Sequence, residues 1–302
     1  MAAAPRDPGR QGEWPSVNIL SIQSWVAYGH VGNAAAMFPL QRLGAEVWGV
    51  HTVQFSNHTG YGAWTGQVFT GAAVGALVEG IAARGALARC DAVLSGYMGD
   101  REIGEAIVDA VGRVRAANPG ALYCCDPVIG DDGSGVYVRP GIAELLRERV
   151  LPNADIATPN RFELEQLTGC ACATLAEARQ GVAHLAARLR TGGPRVVLLT
   201  SLRTAETPLG SIDMLAFEDG HFHLLRTPEL ALSINGAGDA IAALFLFHHL
   251  ESGSAATALE RAGSALWGVL RRTEAAGARE LLLVAAQGEL VSPTTQFCAK
   301  CC

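Results

Sequence analysis

Apolar runs of strand length alternate along the chain with longer stretches in which apolar residues recur at helical spacing. Short β-rich runs predict buried strands, and recurrence every three or four residues predicts helices that pack on a core. The predicted strands cover residues 17–23, 47–53, 92–97, 121–126, 155–158, 195–200, 211–217 and 221–226. The predicted helices cover residues 31–43, 72–87, 102–116, 162–167, 174–189, 240–250, 254–270 and 278–286.

This repeated order is typical of an α/β protein with a mostly parallel sheet and helices on both faces. The last two strands are expected to form a hairpin around Asp219-Gly220. With 302 residues, 49% of them hydrophobic, the chain is long enough for one large core. We therefore expect a single domain over residues 17–290, a disordered leader over residues 1–16 and a C-terminal tail over residues 291–302.

The strongest candidate site is the glycine-rich loop that ends in Asp239, with the sequence Asn-Gly-Ala-Gly-Asp at residues 235–239. Its two glycines lack a Cβ, so the backbone can turn tightly and approach a ligand. The apolar run that follows predicts a buried helix whose free amide groups and positive dipole end face the loop. Such a loop binds anions, and Asp239 suits it as the base that takes a proton from an attacking hydroxyl. Taken alone, the segment also fits a turn whose Asp caps a helix.

Composition and charge exclude several classes of protein. The 23 basic and 29 acidic residues give a net charge of -6, which provides no electrostatic basis for nucleic-acid binding. The only lysine is Lys300, so the chain lacks both a P-loop lysine and a well-placed lysine for a Schiff base with a pyridoxal phosphate cofactor. No apolar run reaches the roughly 18 residues of a transmembrane helix, and no membrane association is expected.

The eight cysteines are scattered along the chain, which favours a reducing, cytoplasmic compartment. Three of them, Cys298, Cys301 and Cys302, cluster in the expected tail. A metal or redox role needs a further ligand or a structured setting, and a ragged tail is expected to supply neither.

Several motifs occur in a fixed order: ILSIQSWVAYGHVGN at 19–33, TVQFSNHTGYG at 52–62, SGY at 95–97, CDPVIGD at 125–131, DIATPNRFE at 155–163 and NGAGD at 235–239. In this order and at these spacings the chain resembles the pyridoxal kinases, a branch of the ribokinase-like superfamily. The glycine loop is shared by many sugar and vitamin kinases, whereas the first two motifs are much more specific to the pyridoxal branch. The resemblance implies a three-layer fold with a small lid, ATP as co-substrate, Mg²⁺, and a monovalent cation with K⁺ as the candidate.

The resemblance also implies roles for residues at the pyridoxal end of the site. Ser24 would bond the pyridine nitrogen, since a hydroxyl can donate or accept. Thr59, beside Gly60, would lie near the phenolic oxygen of the ring, with His58 more suited to a structural hydrogen bond. The apolar walls would come from Val53, Phe55 and Tyr97.

At the nucleotide end, the same resemblance implies an acidic, cation-binding site. Asp126 and Thr158 would lie near the monovalent ion, Asp131 near magnesium, and Asn160 with Glu163 would hold Mg²⁺ through water. Thr200 and Ser201 would lie beside the phosphates and Tyr137 in the lid over ATP. The backbone of Gly236, Ala237 and Gly238 would form the anion hole, with Asp239 as the catalytic base.

The function that follows is ATP-dependent phosphorylation of the 5′-hydroxymethyl group of pyridoxal, with pyridoxine and pyridoxamine as further substrates, in salvage of vitamin B6. A hydroxymethylpyrimidine-type kinase is an alternative that the Ser24 and Thr59 segments disfavour. A vitamin B6 binding or storage protein with weak turnover is another, which the full acidic set disfavours. A homodimer is implied by the resemblance alone.

Overall fold

The computed structural model describes residues 17–302, so the leader expected at residues 1–16 lies outside the described residues. The strands are β1 Asn18–Val26, β2 Glu46–Phe55, β3 Gly66–Val68, β4 Ala92–Ser95, β5 Leu122–Cys125, β6 Gly130–Asp131, β7 Gly135–Val136, β8 Ile156–Ala157, β9 Val196–Leu202, β10 Ser211–Glu218, β11 His221–Pro228 and β12 Lys300–Cys301. The helices are α1 Asn33–Arg42, α2 Gly71–Ala82, α3 Arg101–Ala117, α4 Ile142–Leu145, α5 Arg161–Thr168, α6 Leu175–Arg188, α7 Ala237–Ser252, α8 Ala255–Ala275 and α9 Gln287–Val291.

One large sheet organises the domain, with the strand order β12-β11-β10-β9-β8-β5-β4-β1-β2-β3. Its six central strands, from β9 to β2, run parallel to one another. The strands beyond them on both edges are antiparallel. Parallel neighbours require crossover connections, and helices supply these here. The prediction of a mostly parallel α/β sheet is confirmed.

The two faces of the sheet carry separate hydrophobic cores. One core packs the sheet against α2, α3, α5 and α6, with Val78, Ile107 and Leu185 among its fully enclosed residues. The other packs it against α1, α7 and α8, with Leu40 and Leu259 in the contact. Because both faces are covered, the central strands are apolar on both sides, which explains their continuous hydrophobic runs.

Helix α7 lies inside the second layer. Every residue from 240 to 249 is buried. A helix that is apolar all round must be covered on all sides, and α7 packs between the sheet, α1 and α8. This fixes its first turn at the edge where the parallel strands end, which is where open α/β sheets bind ligands. None of the helices between residues 17 and 302 combines the length and hydropathy needed to cross a bilayer.

Two expectations about the C-terminal region are wrong. The predicted helix at residues 278–286 is a run of turns and extended chain, and α9 begins only at Gln287. The segment after it is not ragged, because β12 pairs with β11 and Phe297 packs on the core. The short strands β3, β6 and β7 were not predicted, since two or three residues carry no periodic pattern.

Candidate active site

The glycine loop forms the beginning of α7, as predicted. Gly236 precedes the helix with φ of 86°, and no side chain caps this terminus. A Cβ at Gly236 would overlap the carbonyl oxygen of His30, so only glycine fits there. Gly238 faces open space. The first amide groups of α7 therefore remain available to an anion in front of the loop.

Asp239 lies half-buried in the first turn of α7. Burial raises the pKa of its carboxyl to about 6, and a hydrogen bond from the Gly32 amide opposes the rise. Gly32 also packs directly on Ser24, because a Cβ there would overlap the Ser24 hydroxyl. The loop before α1 thus brings the predicted base next to the predicted ring-binding serine.

A buried polar network holds this loop in place. Asn33, the first residue of α1, accepts a hydrogen bond from the Ser21 hydroxyl at 2.6 Å and donates to the Val50 carbonyl at 3.1 Å. Gln23 donates to Ser21 at 2.9 Å. The pairing of β1 with β2 slips between Gln23 and Trp25, a bulge that turns Ser24 away from the regular ladder. Sequence reasoning did not identify this network, whose polar residues lie inside an apolar strand pattern.

The predicted apolar walls come together in a third, small hydrophobic cluster. It contains Val53 and Phe55 with Tyr97 at its margin, and it adds Val31 and Val26. Val31 was not predicted as a site residue, because a single valine before a helix carries no distinctive pattern.

Thr59 begins a short, exposed 3₁₀ turn that follows β2. His58 accepts the Gly60 amide at 3.0 Å, which confirms the structural hydrogen bond expected of this histidine. The position of a Gly60 Cβ would lie 3.7 Å from the side-chain amide of Asn235. The Thr59–Gly60 turn therefore adjoins the glycine loop.

Buried carboxylates also lie near Asp239. Asp126 follows β5 and accepts the Thr158 hydroxyl at 3.0 Å. Burial raises the pKa of Asp126 well above its usual range, and the charges of Glu163 and Asp239 raise it further. Burial also raises the pKa of Glu163, to about 7. These acids are thus close enough to repel one another and would be stabilised by a cation.

Glu163 and Asn160 also hold the β6–β7 hairpin. Asn160 caps α5 in a reciprocal capping box, in which each side chain binds the other's backbone amide. Glu163 in addition accepts the Ile129 amide at 2.9 Å, and Asn160 donates to the Gly130 carbonyl at 2.8 Å. The N-x-x-E pattern therefore fixes the base of the β6–β7 hairpin.

Asp131 lies on that hairpin and is exposed. One of its oxygens accepts the Gly133 and Ser134 amides at 2.9 and 2.6 Å, which closes the turn. Arg161 ties the hairpin to α5 through both oxygens of Asp132, at 2.7 and 3.2 Å. Between residues 17 and 302, no three carboxylate, histidine or cysteine side chains converge as a ready-made metal site.

The other residues that the sequence predicted to contact the nucleotide lie near these acids. Tyr137 follows the hairpin, and its hydroxyl pKa is raised by burial and by the charges of Glu163, Asp126 and Asp239. Thr200 is buried at the end of β9 and bridges to Asn160. Ser201 is exposed with φ of 54°, a left-handed conformation that few serines adopt. The sheet pairing slips at this point, and the bulge redirects the end of β9.

Glu280 is a polar residue of this region that sequence reasoning missed. Its carboxylate accepts the His30 amide at 3.0 Å and the Tyr61 hydroxyl at 2.6 Å. No signal indicated it, because the residues around it were predicted to form a helix.

The fold has three layers, with helices on both faces of one sheet, and its glycine loop begins a buried helix beside several acids. These features define a ribokinase-like fold of the kind used by small-molecule kinases. Residues 76–282 match the family model described as phosphomethylpyrimidine kinase. The chain is 65% identical to the pyridoxal kinase PdxY of Granulibacter bethesdensis over 95% of this chain and 100% of that one. It is 58% identical to the pyridoxal kinase PdxY of Deinococcus radiodurans, over 94% and 96% of the two chains.

Solved structures give the same result. Pyridoxal kinase from Leishmania donovani in complex with ADP and pyridoxamine superposes with a TM-score of 0.86 at 31% identity, covering 94% of this chain and 99% of that one. Its complex with ADP and ginkgotoxin gives a TM-score of 0.87 at 30% identity, with the same coverage. This chain therefore belongs to the pyridoxal kinase family.

Proposed function

We propose that this protein transfers the γ-phosphoryl group of ATP to the 5′-hydroxymethyl group of pyridoxal, forming pyridoxal 5′-phosphate. The observation that carries the proposal is the position of Asp239. It lies at the start of a buried helix, accepts the amide of Gly32, which packs on Ser24, and is close enough to Asp126 for its charge to raise the pKa of that acid. The relatives named above and the ADP complexes of the Leishmania enzyme support the same substrates.

Asp239 is the proposed base. Its carboxylate accepts the proton of the 5′-hydroxyl as that oxygen attacks the γ-phosphorus in line, and the bond from the γ-phosphorus to the bridging oxygen breaks to release ADP. Burial makes the carboxylate more basic, with a pKa of about 6, so it is ionised at neutral pH yet accepts a proton readily. The amides of Gly236, Ala237 and Gly238 would stabilise the charge on the transferring group, since donors fixed in advance need no reorganisation.

The pyridoxal ring would occupy the third cluster. Ser24 would bond the ring nitrogen, Thr59 and Gly60 would face the phenolic oxygen, and Val53, Phe55 and Tyr97 would enclose the ring. In support, the Ser24 hydroxyl makes no side-chain hydrogen bond to any residue in the part of the chain that the structure describes. It is therefore available to a ligand.

The acidic edge around Asp126 and Glu163 fits Mg²⁺ and the triphosphate. Burial raises the pKa of both Asp126 and Glu163, and neighbouring carboxylate charges add to the rise, so a bound cation would favour their ionised forms. Asp126, Asp131, Thr158, Asn160 and Glu163 are the residues we propose to hold magnesium and a monovalent ion such as K⁺. When bound, the cations would neutralise charge on the phosphate oxygens. Thr200, Ser201 and Tyr137 would contact the nucleotide.

A hydroxymethylpyrimidine substrate is the competing assignment, since the matched family model is described as phosphomethylpyrimidine kinase. The match begins at residue 76 and leaves out Ser24, Val53 and Thr59. It covers the nucleotide half, which kinases of both substrates share, and so does not favour the pyrimidine.

An assay with purified protein, ATP and Mg²⁺ tests the proposal, with pyridoxal, pyridoxine, pyridoxamine and hydroxymethylpyrimidine supplied separately. We expect phosphate transfer to the vitamin B6 compounds and at least tenfold lower kcat/KM for the pyrimidine. Tight binding of pyridoxal phosphate with no ATP consumption would instead indicate a storage protein. Omission of Mg²⁺ and exchange of K⁺ for Na⁺ in the same assay test the cation assignments.

Two further proposals concern the protein's setting. All eight cysteines are free thiols, which suits a reducing cytoplasm. The homodimer rests on family resemblance, and sedimentation equilibrium of the purified protein tests it.

A further inference from the structure

We infer that Glu280 is a positioning residue that holds together the loops forming the pyridoxal end of the site. The inference rests on the proposed function. Glu280 lies outside all of the sequence motifs that indicated the site. Glu280 belongs to the irregular segment between α8 and α9, far in sequence from the loops that it contacts.

The Glu280 carboxylate binds two loops at once. One oxygen accepts the His30 amide at 3.0 Å, and the other accepts the Tyr61 hydroxyl at 2.6 Å. It also packs on Gly29, where φ is 94° and a Cβ would overlap the carboxylate. The loop before α1 and the 3₁₀ turn after β2 are thus fastened to one anchor.

One fastened loop carries proposed substrate residues, and the other contacts Ser24 and Asp239. Tyr61 ends the 3₁₀ turn that contains Thr59 and Gly60. His30 lies two residues before Gly32, which packs on Ser24 and donates to Asp239. Movement of either loop would therefore displace a group that contacts the ring or the base.

The same segment also contacts the glycine loop. The His30 carbonyl lies against Gly236, and Leu281, which is buried, lies 3.3 Å from the position that a Gly236 Cβ would take. Neighbouring Arg279 lies over the Tyr61 ring, 5.4 Å from its centre. Glu280 therefore fixes the spacing between the pyridoxal loops and the start of α7, on which in-line attack depends.

The test is a comparison of kcat, KM and thermal unfolding for Glu280→Ala, Glu280→Gln and Tyr61→Phe. For Glu280→Ala we expect KM for pyridoxal to rise about tenfold or more and kcat to fall, with KM for ATP within about twofold. Glu280→Gln should keep near-normal constants, because its amide can accept from His30 and donate to the Tyr61 oxygen. Tyr61→Phe removes one contact and should fall between them.

Glu289 provides a matched control. It too lies in the C-terminal region, accepts a backbone amide and a hydroxyl from Thr294 at 2.8 and 3.1 Å, and packs on a glycine, Gly268. Glu289→Ala should lower the unfolding temperature without changing KM for pyridoxal. If Glu280→Ala behaves in the same way, its role is merely structural and the inference is wrong.

Calorimetric binding of pyridoxal separates this inference from the proposed function. If the wild type binds pyridoxal but does not phosphorylate it, the proposed function fails, and the Kd of Glu280→Ala still decides the inference. A Kd within twofold of wild type, or no pyridoxal binding by the wild type, would overturn it. A Kd raised about tenfold and restored in Glu280→Gln supports it.

Discussion

At the scale of single residues, Asp239 is the proposed base, and its immediate contacts set its properties. Its carboxylate is less exposed than a surface aspartate, and burial raises its pKa to about 6. The Gly32 amide limits that rise, so the residue remains mostly ionised at pH 7. Gly32, which directly precedes α1, therefore adjusts the pKa of the proposed base Asp239, more than two hundred positions away in sequence.

Replacing Asp239 with Asn should lower kcat by about 10²–10⁴-fold, because the amide cannot accept the proton of the attacking hydroxyl. KM for ATP should change little, since the anion hole is made of backbone amides. Initial rates at saturating pyridoxal measure the first effect, and initial rates at varied ATP concentration measure the second. Activity within threefold of wild type would exclude Asp239 as the base.

The activity should also depend on pH in a way set by this residue. A carboxyl with a raised pKa holds its proton at higher pH than usual, and only the ionised form acts as base. We therefore expect kcat/KM to be constant well above pH 6 and to fall about tenfold for each pH unit below it. Profiles measured with pyridoxal and pyridoxine, whose own ionisations differ, should share this acid limb. A profile that stays flat to pH 5 would contradict the assignment.

At the scale of elements, the start of α7 and the β6–β7 hairpin are the proposed contacts to the phosphates. The buried helix α7 supplies amides from a position that packing fixes. The hairpin is fastened to α5 by Asn160, Glu163 and Arg161. Helix α7 is thus fixed by packing, and the hairpin is the element that we propose as a small lid over ATP.

The two glycines of the loop should respond differently to alanine. Gly236→Ala places a Cβ against the His30 carbonyl at positive φ and should cost about 1–3 kcal/mol of unfolding free energy. Gly238→Ala meets open space and should leave stability within about 1 kcal/mol, because a helical Gly-to-Ala change is not strained. The new methyl of Gly238→Ala should nevertheless obstruct the phosphate and raise KM for ATP. Denaturant unfolding and steady-state kinetics on both variants check this contrast. Equal losses of unfolding free energy in the two variants would contradict it.

Loss of the lid anchor should affect ATP more than stability. Arg161→Ala removes the two-point contact with Asp132 and should raise KM for ATP, while unfolding free energy changes by about 1 kcal/mol or less for so exposed a pair. Arg149→Ala breaks a similar exposed pair with Glu105 away from the lid and is the control. If Arg161→Ala and Arg149→Ala have the same KM for ATP, the contact between Arg161 and Asp132 does not affect the hairpin's role in ATP binding.

At the scale of the whole molecule, the C-terminal segment completes the sheet. Strand β12 covers the edge of β11, an edge that would otherwise be open to pairing with other chains. Phe297 packs edge-on against Trp267, with ring centres 5.1 Å apart, and its amide donates to Ser264 at 2.9 Å. This edge lies across the sheet from β1 and β2, which carry the pyridoxal end.

Phe297→Ala should therefore reduce stability without changing the kinetics. For a half-buried ring we expect a loss of about 1.5–3 kcal/mol, below the cost of a fully buried phenylalanine. Chemical denaturation measures the loss, and kcat and both KM values should match the wild type. Leu209→Ala, at a fully exposed leucine, should change neither property. A large fall in kcat for Phe297→Ala would show that the tail is coupled to the site.

Local sequence pattern predicted many of the helices and strands correctly, and the wrong prediction at residues 278–286 has a physical cause. Long, strongly periodic segments such as residues 102–116 and 174–189 appear as α3 and α6 with ends shifted by only a residue or so. The helix expected at residues 278–286 is absent because Leu281 is drawn into the core and Glu280 into contact with two distant loops. Those contacts outweigh the high helix propensity of a segment rich in alanine and leucine.

The motifs in the chain were sufficient to indicate the parallel α/β sheet, the anion loop and the acids around Asp239, because each depends on residue type and short spacing. Three features depended on contacts between residues far apart in the chain: the Gly32 amide on Asp239, the Glu280 anchor and the closure of the sheet by β12. Local pattern cannot specify such contacts, since a backbone amide donates identically in every residue but proline and only the packed fold decides which carboxylate receives it.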